Sequence, residues 1–409
     1  MLFSEAEYGA LVRPLLTGDH PSPEDAVAWI GFSHLCEPSD MVPILLTQEI
    51  TSAQLMQAVI DRLDSSAVAG LVGREVTDYV EDKLEISFEK LWQNATERWL
   101  PRLSKNAVVE SLEWMAQAQT SESPKRLLVK GGADFPAQVS DLEHHEPFAL
   151  WCSGNTQLLS AERTVSIVGT RQSSRYGADI ARDLGAVAAM NEIVTISGGA
   201  FGIDAIIHES ALALESPTVA LMAGGLANLY PRNNLNMIQE IERKGLVIAE
   251  LPPMVAPAKW RFLMRNRLIA ALSQATVVVE AGRTSGALNT AATAVHLGRT
   301  CAIVPGPITS ARSIGCHDFL NDHLGGVQIL ARPQDLPKLL EVGASEATQQ
   351  KTLGVLEKRA LDAFGVSSIE SWEVQRLAGL TVRETQIALG SLELLGLVER
   401  VGSRYQRVS

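Results

Sequence analysis

Cysteines are few in this sequence and long apolar runs are missing, and each absence excludes a class of protein. No Cys-x-x-Cys spacing occurs among the four cysteines of the 409-residue chain, which are Cys36, Cys152, Cys301 and Cys316. This argues against a disulfide framework or a zinc site and favours a reducing cytoplasm. The apolar runs are short and broken by charged residues, so no segment is predicted to span a bilayer. The N-terminus lacks the basic start and apolar core of a signal peptide, and we expect a cytoplasmic protein without membrane association.

Familiar catalytic motifs are missing as well. The chain has no Gly-x-Ser-x-Gly elbow, no His-Glu-x-x-His pair and no Walker loop. It also lacks the Gly-x-Gly-x-x-Gly fingerprint, and Ser197 and Gly198 stand where the ribose-binding acid is expected, which argues against a NAD-dependent oxidoreductase. Asp204 and His208 have the four-residue spacing of metal ligands, but no third ligand is near, and a helix-capping aspartate is the simpler interpretation. We therefore expect no catalytic residues, no metal and no cofactor.

Charge is distributed unevenly along the chain. The formal net charge of −12 argues against nonspecific coating of nucleic acid. Residues 1–120 contain 19 acidic and 8 basic residues, whereas residues 121–330 contain 18 acidic and 17 basic residues. Residues 331–409 contain 10 of each. Local basic sites can therefore form in the middle of the chain.

Three segments of different pattern follow one another. Residues 1–120 have apolar positions at helical spacing between prolines, which predicts a helical domain. Residues 126–330 alternate strand-like runs with apolar helices, which predicts an α/β domain with a doubly wound, mostly parallel sheet. Residues 352–409 have the pattern of a winged helix, with three helices and a hairpin that turns at Gly402 and Ser403. The strand-like runs are 164–169, 193–197, 218–224, 245–251, 276–281, 301–306 and 326–330.

Polar loops rich in glycine, hydroxyl groups and arginine follow most of these strands. In a doubly wound sheet such loops meet at the carboxyl edge of the strands, where ligands bind. Free amides at helix starts, hydroxyl groups and guanidinium groups all suit phosphate oxygens. A tight turn with solvated arginines is the alternative for any one loop, but several such loops on one rim favour a polyanion. The candidate residues are Gly169, Arg171, Arg175, Gly198, Gly199, Phe201, Arg265, Asn266, Arg267, Arg283, Ser285 and Gly286.

Some of these residues have two interpretations. Arg265 and Arg267 lie about 200° apart on a helical wheel, so one of them is expected to face inward or into a cleft. Phe201 either stacks on a base or packs beneath its own loop. Glu250 and Glu280 end predicted strands, where they could pair with arginines.

Six motifs in fixed order resemble the DprA/Smf family (DNA-processing protein A) between about residues 126 and 330. They are IVGTRQSSRYG, SGGAFGIDAIIHESAL, YPRNN, AELPP, FLMRNRLIAALSQATVVVEAGRTSGALNTA, and VPG followed by SIGCHDFL. The similarity extends weakly to the C-terminal segment, since many members carry a winged helix. Residues 1–120 resemble the degenerate sterile-alpha or helix-hairpin-helix region of some members.

The resemblance implies an extended Rossmann-like domain that forms a homodimer and binds single-stranded DNA in a basic pocket. It also implies a role in natural transformation, the uptake of DNA by competent cells, in which such proteins protect incoming DNA and help to load the RecA recombinase. The sequence departs from the family pattern at Phe201, Leu263 and His317, where arginine, proline and asparagine are usual. The first departure removes a cation, which is expected either to weaken binding or to shift it toward stacking. By position, the implied pocket consists of Gly169, Arg171, Ser197, Gly198, Gly199, Arg265, Asn266, Arg267, Ser285 and Gly286.

The alternative is an enzyme on the same kind of fold, similar to the lysine-decarboxylase-like phosphoribohydrolases, which act on nucleotides. Those enzymes carry PGGxGTxxE, whose glutamate performs the chemistry, and the corresponding stretch EAGRTSGALNTA lacks it. We therefore predict a recombination mediator that binds single-stranded DNA and is not an enzyme. Because no basic cluster marks the recognition helix of the winged helix, a protein contact is favoured there over duplex DNA.

Overall fold

The structure, a computed structural model, describes residues 5–16, 22–341, 355–364, 368–394, 397–401 and 404–407. The chain divides into two compact units, Met1–Ala344 and Ser345–Ser409. Among the described residues, no helix combines the length and the apolar character needed to cross a bilayer.

The first unit is built on a nine-stranded sheet. Its strands are β1 (Lys125–Val129), β2 (Ala149–Gly154), β3 (Thr164–Val168), β4 (Val194–Ser197), β5 (Thr218–Met222), β6 (Leu246–Ala249), β7 (Ala275–Val278), β8 (Thr300–Ile303) and β9 (Gln328–Ile329). They are arranged in the order β1-β2-β6-β5-β4-β3-β7-β8-β9. Strands β3 to β9 pair in parallel, whereas β2 is antiparallel to both β1 and β6. The predicted α/β class with a mostly parallel sheet is confirmed.

The strands form where the sequence has uninterrupted apolar runs. Every residue of β3, β5 and β7 is buried, as expected for strands covered by helices on both faces. The observed strands are shorter than the predicted runs because glycine and proline at the run ends lead the chain out of the sheet. For example, β8 ends at Ile303, before Pro305 and Gly306. Strand β9 lies at the edge of the sheet, and its two residues are exposed.

Among the described residues, seven α-helices precede the sheet, namely α1 (Glu5–Val12), α2 (Pro23–Leu35), α3 (Met41–Leu46), α4 (Ser52–Ile60), α5 (Ser65–Lys83), α6 (Phe88–Trp99) and α7 (Lys105–Gln117). Seven more accompany the strands, namely α8 (Arg175–Met190), α9 (Ile203–Ala213), α10 (Leu235–Lys244), α11 (Lys259–Ala271), α12 (Gly286–His296), α13 (Ile314–Asp322) and α14 (Lys338–Glu341). Most of these helices pack on the sheet through two buried clusters. One contains Ala181 of α8 and Ile207 of α9, and the other contains Leu268 of α11 and Ala291 of α12.

The strand order creates a switch point beside β3. After β3 the chain builds β4, β5 and β6 on one side, and it then crosses to build β7, β8 and β9 on the other. The loops that leave β3 and β7 therefore diverge to opposite faces of the sheet. A crevice at the carboxyl ends of these two strands follows from this topology.

The N-terminal helices share a hydrophobic core with the sheet. The rings of Trp29 on α2 and Phe148 before β2 stack with their centroids 5.6 Å apart. Trp99 of α6 and Trp151 of β2 are fully buried in the same cluster. The structure thus groups residues 1–120 and 126–330 in one compact unit, and the predicted boundary between two domains remains a prediction.

The second unit has the elements expected of a winged helix. Its helices are α15 (Val355–Asp362), α16 (Ser371–Ala378) and α17 (Val382–Leu394), and its strands are β10 (Ile369–Glu370), β11 (Val398–Val401) and β12 (Arg404–Arg407). The three strands form an antiparallel sheet in the order β10-β12-β11. Strands β11 and β12 form the predicted hairpin, whose turn at residues 402 and 403 lies outside the described residues.

Candidate nucleic-acid interface

A cleft of about 510 Å³ lies at the switch point between β3 and β7. The loop after β3 forms one wall, the start of α12 forms the other, and α11 lies between them. Six of the residues selected from the sequence line this cleft. They are Gly169, Arg171, Arg265, Asn266, Ser285 and Gly286, and the lining also includes Thr170, Asp204, Lys259, Phe262, Leu263, Thr284 and Thr290.

Arg265 lies at the floor of the cleft and ties two loops together. Its side chain is buried, and its guanidinium group donates hydrogen bonds to the carbonyl oxygens of Gly198, at 2.8 Å, and Leu221. Burial lowers the pKa of Arg265 to about 10; Arg171 lowers it further, and the opposite charge of Asp204 raises it. The group therefore remains a cation at neutral pH, and it fixes the ends of β4 and β5.

A buried carboxylate stands beside this cation. Asp204, on the first turn of α9, accepts a hydrogen bond of 3.2 Å from the amide of Gly198. Burial raises the pKa of Asp204, while the charge of Arg265 and hydrogen bonds from nearby amides lower it. Glycine is needed at position 198, because an added Cβ would lie 2.8 Å from the guanidinium carbon of Arg265. The floor of the cleft is thus a tightly packed arrangement of opposite charges.

Phe262 is a cleft residue to which the sequence analysis assigned no role. The guanidinium carbon of Arg171 lies 4.9 Å from its ring centroid, and that of Arg265 lies 6.0 Å away. Guanidinium groups at such distances are attracted by the π-system of the ring. The ring is half-buried, whereas Arg171 is exposed. Its position three residues before Arg265, on the same side of α11, is the signal that could have identified it.

The start of α12 brings backbone amides to the opposite wall. Ser285 caps this helix, and the side-chain amide of Asn266 donates a hydrogen bond of 3.0 Å to the carbonyl oxygen of Gly286. The first turn of a helix has unpaired amides and a partial positive charge, and both favour a bound anion. Lys259 adds an exposed cation at the rim. Asp204 is the acidic member of a lining that otherwise carries Arg171, Lys259 and Arg265.

Arg267 lies away from this cleft. Its two terminal nitrogens donate to the carboxylate oxygens of Glu250 at 2.7 and 2.6 Å, and its Nε donates to the carbonyl oxygen of His145 at 3.0 Å. Both charged side chains are 9 % exposed. The structure therefore separates Arg265 from Arg267, which the sequence analysis had assigned to one phosphate site. The wheel argument was sound, since the two side chains do point in different directions.

Two further predicted arginines lie outside the lining of the cleft. Arg283 pairs with Asp318 at 2.8 Å on the surface. The side chain of Arg175 is 97 % exposed and approaches Asp179 at 3.9 Å. The partners of these two arginines are acidic residues on the surface, and neither contact brings the arginine side chain toward Arg265.

Ser197 and the glycines after β4 support the cleft rather than line it. The hydroxyl group of Ser197 is buried and donates a hydrogen bond of 2.7 Å to the carbonyl oxygen of Ile167. Gly199 has a φ of 63°, a conformation that favours glycine, and its carbonyl oxygen accepts from the Asn234 side chain at 3.1 Å. These contacts hold the loop after β4 in place, and the carbonyl group of Gly198 in this loop meets Arg265.

Phe201 borders a second, shallower groove of about 740 Å³ beside the cleft. Phe201 is 38 % exposed, so its ring is partly accessible and partly covered, and both interpretations of this residue remain predictions. Arg171 lines both the groove and the cleft, so the two share one cation.

Metal ligation finds no support in the part of the chain that the structure describes. No group of three or more histidine, cysteine or acidic side chains is placed there to hold a metal ion. Nδ1 of His208 lies 2.8 Å from the hydroxyl oxygen of Thr218, and Asp204 is held by amides. The four cysteines are free and buried.

Buried His208 predicts a loss of stability in mild acid. Burial lowers the pKa of His208 to about 3, whereas an unfolded histidine titrates near 6.5. Between these two pH values the unfolded state binds a proton that the folded state does not. The free energy of unfolding is therefore unaffected by protonation of His208 above about pH 6.5, and it decreases as the pH falls from there toward about 3. His208 alone is expected to contribute about 1.4 kcal/mol per pH unit to the slope of the free energy of unfolding, and buried His34, whose pKa is also lowered to about 3, adds its own contribution.

Denaturant titrations between neutral pH and mild acid measure this slope. We expect His208→Gln to reduce it relative to the parent chain, and the same substitution of exposed His296 to leave it unchanged. Equal slopes for the parent and His208→Gln would contradict the assignment.

The fold and the cleft together define a class. A doubly wound sheet whose switch-point cleft carries buried and exposed arginines, an aromatic ring and the start of a helix has a Rossmann-like architecture with a cleft whose chemistry suits an anion.

Comparison with known proteins identifies the family. The family model described as DNA recombination-mediator protein A matches residues 126–341. The DNA processing protein DprA of Mycobacterium tuberculosis is 39 % identical over 273 residues, which are 64 % of this chain and 69 % of that protein. Protein Smf of Escherichia coli is 29 % identical over 318 residues, covering 74 % of this chain and 82 % of that protein. The chain belongs to the DNA recombination-mediator protein A family, as the motifs predicted.

A solved structure agrees with the fold. The crystal structure of DNA processing protein A from Streptococcus pneumoniae superposes with a TM-score of 0.56 and 24 % sequence identity. The match covers 78 % of this chain and 98 % of that chain. At this level of identity the match establishes the common fold.

Proposed function

We propose that this protein binds single-stranded DNA in the switch-point cleft and acts as a recombination mediator without chemistry of its own. The observation that carries the proposal is the arrangement of Arg171, Phe262 and Arg265 opposite the start of α12. Membership in a recombination-mediator family and the names of the relatives as DNA processing proteins support it.

The cleft offers separate partners for the backbone and the bases of a single strand. Arg171 and Lys259 are accessible donors for phosphate oxygens, the partial positive charge at the start of α12 attracts those oxygens, and buried Arg265 adds positive potential from below. Phe262 lies under the guanidinium group of Arg171, and a base that stacks on this ring displaces that group from the ring face. Such a site tolerates any sequence and requires an unpaired strand, since bases in a duplex are already stacked on each other.

Binding without catalysis fits the state of the acidic groups. Asp204 is enclosed by amides beside Arg265. Glu280, at the end of the β7 run, is 1 % exposed and accepts hydrogen bonds from the amide and hydroxyl group of Ser174. Neither is a free general base. A phosphoribohydrolase would release the nucleobase from AMP, and we expect purified protein to release none.

Arg171→Ala tests the cleft directly. We expect this substitution to weaken binding of an oligothymidylate by about tenfold, because it removes one accessible phosphate contact and the cation over Phe262. The slope of log affinity against log salt should fall in magnitude by about 0.7 for the lost phosphate contact. Fluorescence anisotropy across a salt series measures both quantities.

Arg182→Ala is the matched control. Arg182 lies on α8, is exposed and pairs with Asp179 at 2.8 Å, so the change in net charge is the same. It should bind like the parent protein. Equal losses for Arg171→Ala and Arg182→Ala would show that only overall charge matters and would contradict a specific cleft.

The wider role that we propose is protection of incoming single-stranded DNA and loading of RecA onto it during natural transformation. We propose that a homodimer formed through the Rossmann-like domain performs it in the cytoplasm. Four buried free thiols suit that compartment. Sedimentation equilibrium tests the dimer. RecA filament formation on DNA coated with single-strand-binding protein, with and without this protein, tests the loading.

A further inference from the structure

A groove of about 810 Å³ begins beside the cleft and continues toward the N-terminal helices. Tyr230 connects the two, since it lines the groove and its ring centroid lies 5.8 Å from that of Phe262 in the cleft. Trp114 and Ala118, at the end of α7, form part of the far wall. Residues 1–120 and the sheet thus contribute to one surface.

The groove has the chemistry of a base-stacking surface. Tyr230 is 45 % exposed, and Trp114 is partly exposed. The ammonium group of Lys125 lies 5.9 Å from the Trp114 ring centroid. Arg232 adds an exposed cation at the rim.

No acidic side chain of the described N-terminal helices is among the residues that line this groove. Glu242 is the acidic side chain among its lining residues, and Lys125 pairs with it at 3.1 Å. Lys125 also donates a hydrogen bond to the hydroxyl oxygen of Ser153. The members that α7 contributes, Trp114 and Ala118, carry no charge. A phosphate backbone therefore meets no uncompensated carboxylate among the lining residues.

We propose that this groove binds the nucleotides that follow those held in the cleft, with Tyr230 and Trp114 as stacking platforms. The inference rests on the proposed function of the cleft and extends it to a second subsite for the same strand. The planes of Tyr230 and Phe262 are inclined at 70°, so bases stacked on the two rings cannot be parallel and the strand turns between them. In this arrangement, the N-terminal helical segment contributes to the length of DNA that is bound.

A length series of oligothymidylates, bound to the full-length chain, tests the second subsite. For the parent protein we expect affinity to rise with length until both subsites are filled. In Tyr230→Leu and Trp114→Leu, which keep apolar bulk but remove the ring, the rise should stop on the order of one or two nucleotides earlier. Long oligomers should bind them about 5–10-fold more weakly, as expected for the loss of one stacked base, while the shortest binding oligomer is unaffected.

Two further variants separate the possible outcomes. Tyr79→Leu removes an equally accessible ring, 36 % exposed on α5, and should follow the parent curve. Arg171→Ala should weaken binding at every length. If the parent protein binds no oligomer, the proposed function itself fails. If the parent binds but Tyr230→Leu and Trp114→Leu match it at every length, or Tyr79→Leu shortens the curve as they do, the second subsite is refuted and the cleft stands.

Discussion

Arg265→Ala is expected to lower the free energy of unfolding by about 3–5 kcal/mol, the range found when one partner of a buried charge pair is removed. The guanidinium group donates to the carbonyl oxygens of Gly198 and Leu221 and faces buried Asp204. The substitution leaves two carbonyl oxygens without their donor and removes the opposite charge beside buried Asp204, in a site that water scarcely reaches. Since the same group supplies positive potential to the cleft, DNA affinity should fall with it.

Denaturant titration and oligothymidylate binding measure the two effects of Arg265→Ala. Adding Asp204→Asn should recover part of the lost stability, because it removes the stranded carboxylate, but it should not restore DNA affinity. Arg182→Ala, on the surface of α8, should change neither quantity. An unfolding midpoint for Arg265→Ala within error of the parent would show that the buried contacts contribute little and would contradict the proposed floor of the cleft.

The fold could be predicted because its signals are local. Each strand of the parallel sheet coincides with a short apolar run, such as the runs that became β3 and β7, and polar loops punctuate them. The order of the strands in the sheet was not predicted and is known from the structure. What the sequence could not supply is the joint core of the helical segment and the sheet, for which Trp29 meets Phe148 across more than a hundred residues. Apolar periodicity identifies a buried face but not the surface that covers it.

The sequence identified several residues of the candidate site, but it did not establish which role each residue has. Gly169, Arg171, Arg265 and Ser285 converge at the switch point because the topology brings the ends of β3 and β7 together. The helical wheel showed that the side chains of Arg265 and Arg267 point in different directions. Which of the two faces the cleft depends on how α11 is rotated about its axis against the sheet. That rotation is set by tertiary contacts, and it is visible only once the partner of Arg267, which lies just after β6, is known.

That partner is Glu250, and the pair predicts the second large effect. Arg267→Met should lower the free energy of unfolding by about 3–5 kcal/mol, since it leaves Glu250 buried without its bidentate donor. Combining it with Glu250→Leu should recover most of the loss, because replacing both members of a buried ion pair with apolar residues is often neutral or stabilising. Denaturant titration of the parent, both single variants and the double variant gives the coupling energy of the pair.

The same double variant decides whether Arg267 touches DNA. Because its guanidinium group is buried and donates to Glu250, His145 and Met264, a folded Arg267→Met, Glu250→Leu protein should bind oligothymidylate within about twofold of the parent at every salt concentration, with an unchanged salt slope. Arg171→Ala measured beside it shows what the loss of a phosphate contact looks like. A drop in affinity with a shallower salt slope in the refolded double variant would place Arg267 on the DNA after all. It would mean that the strand draws this arginine away from Glu250 on binding.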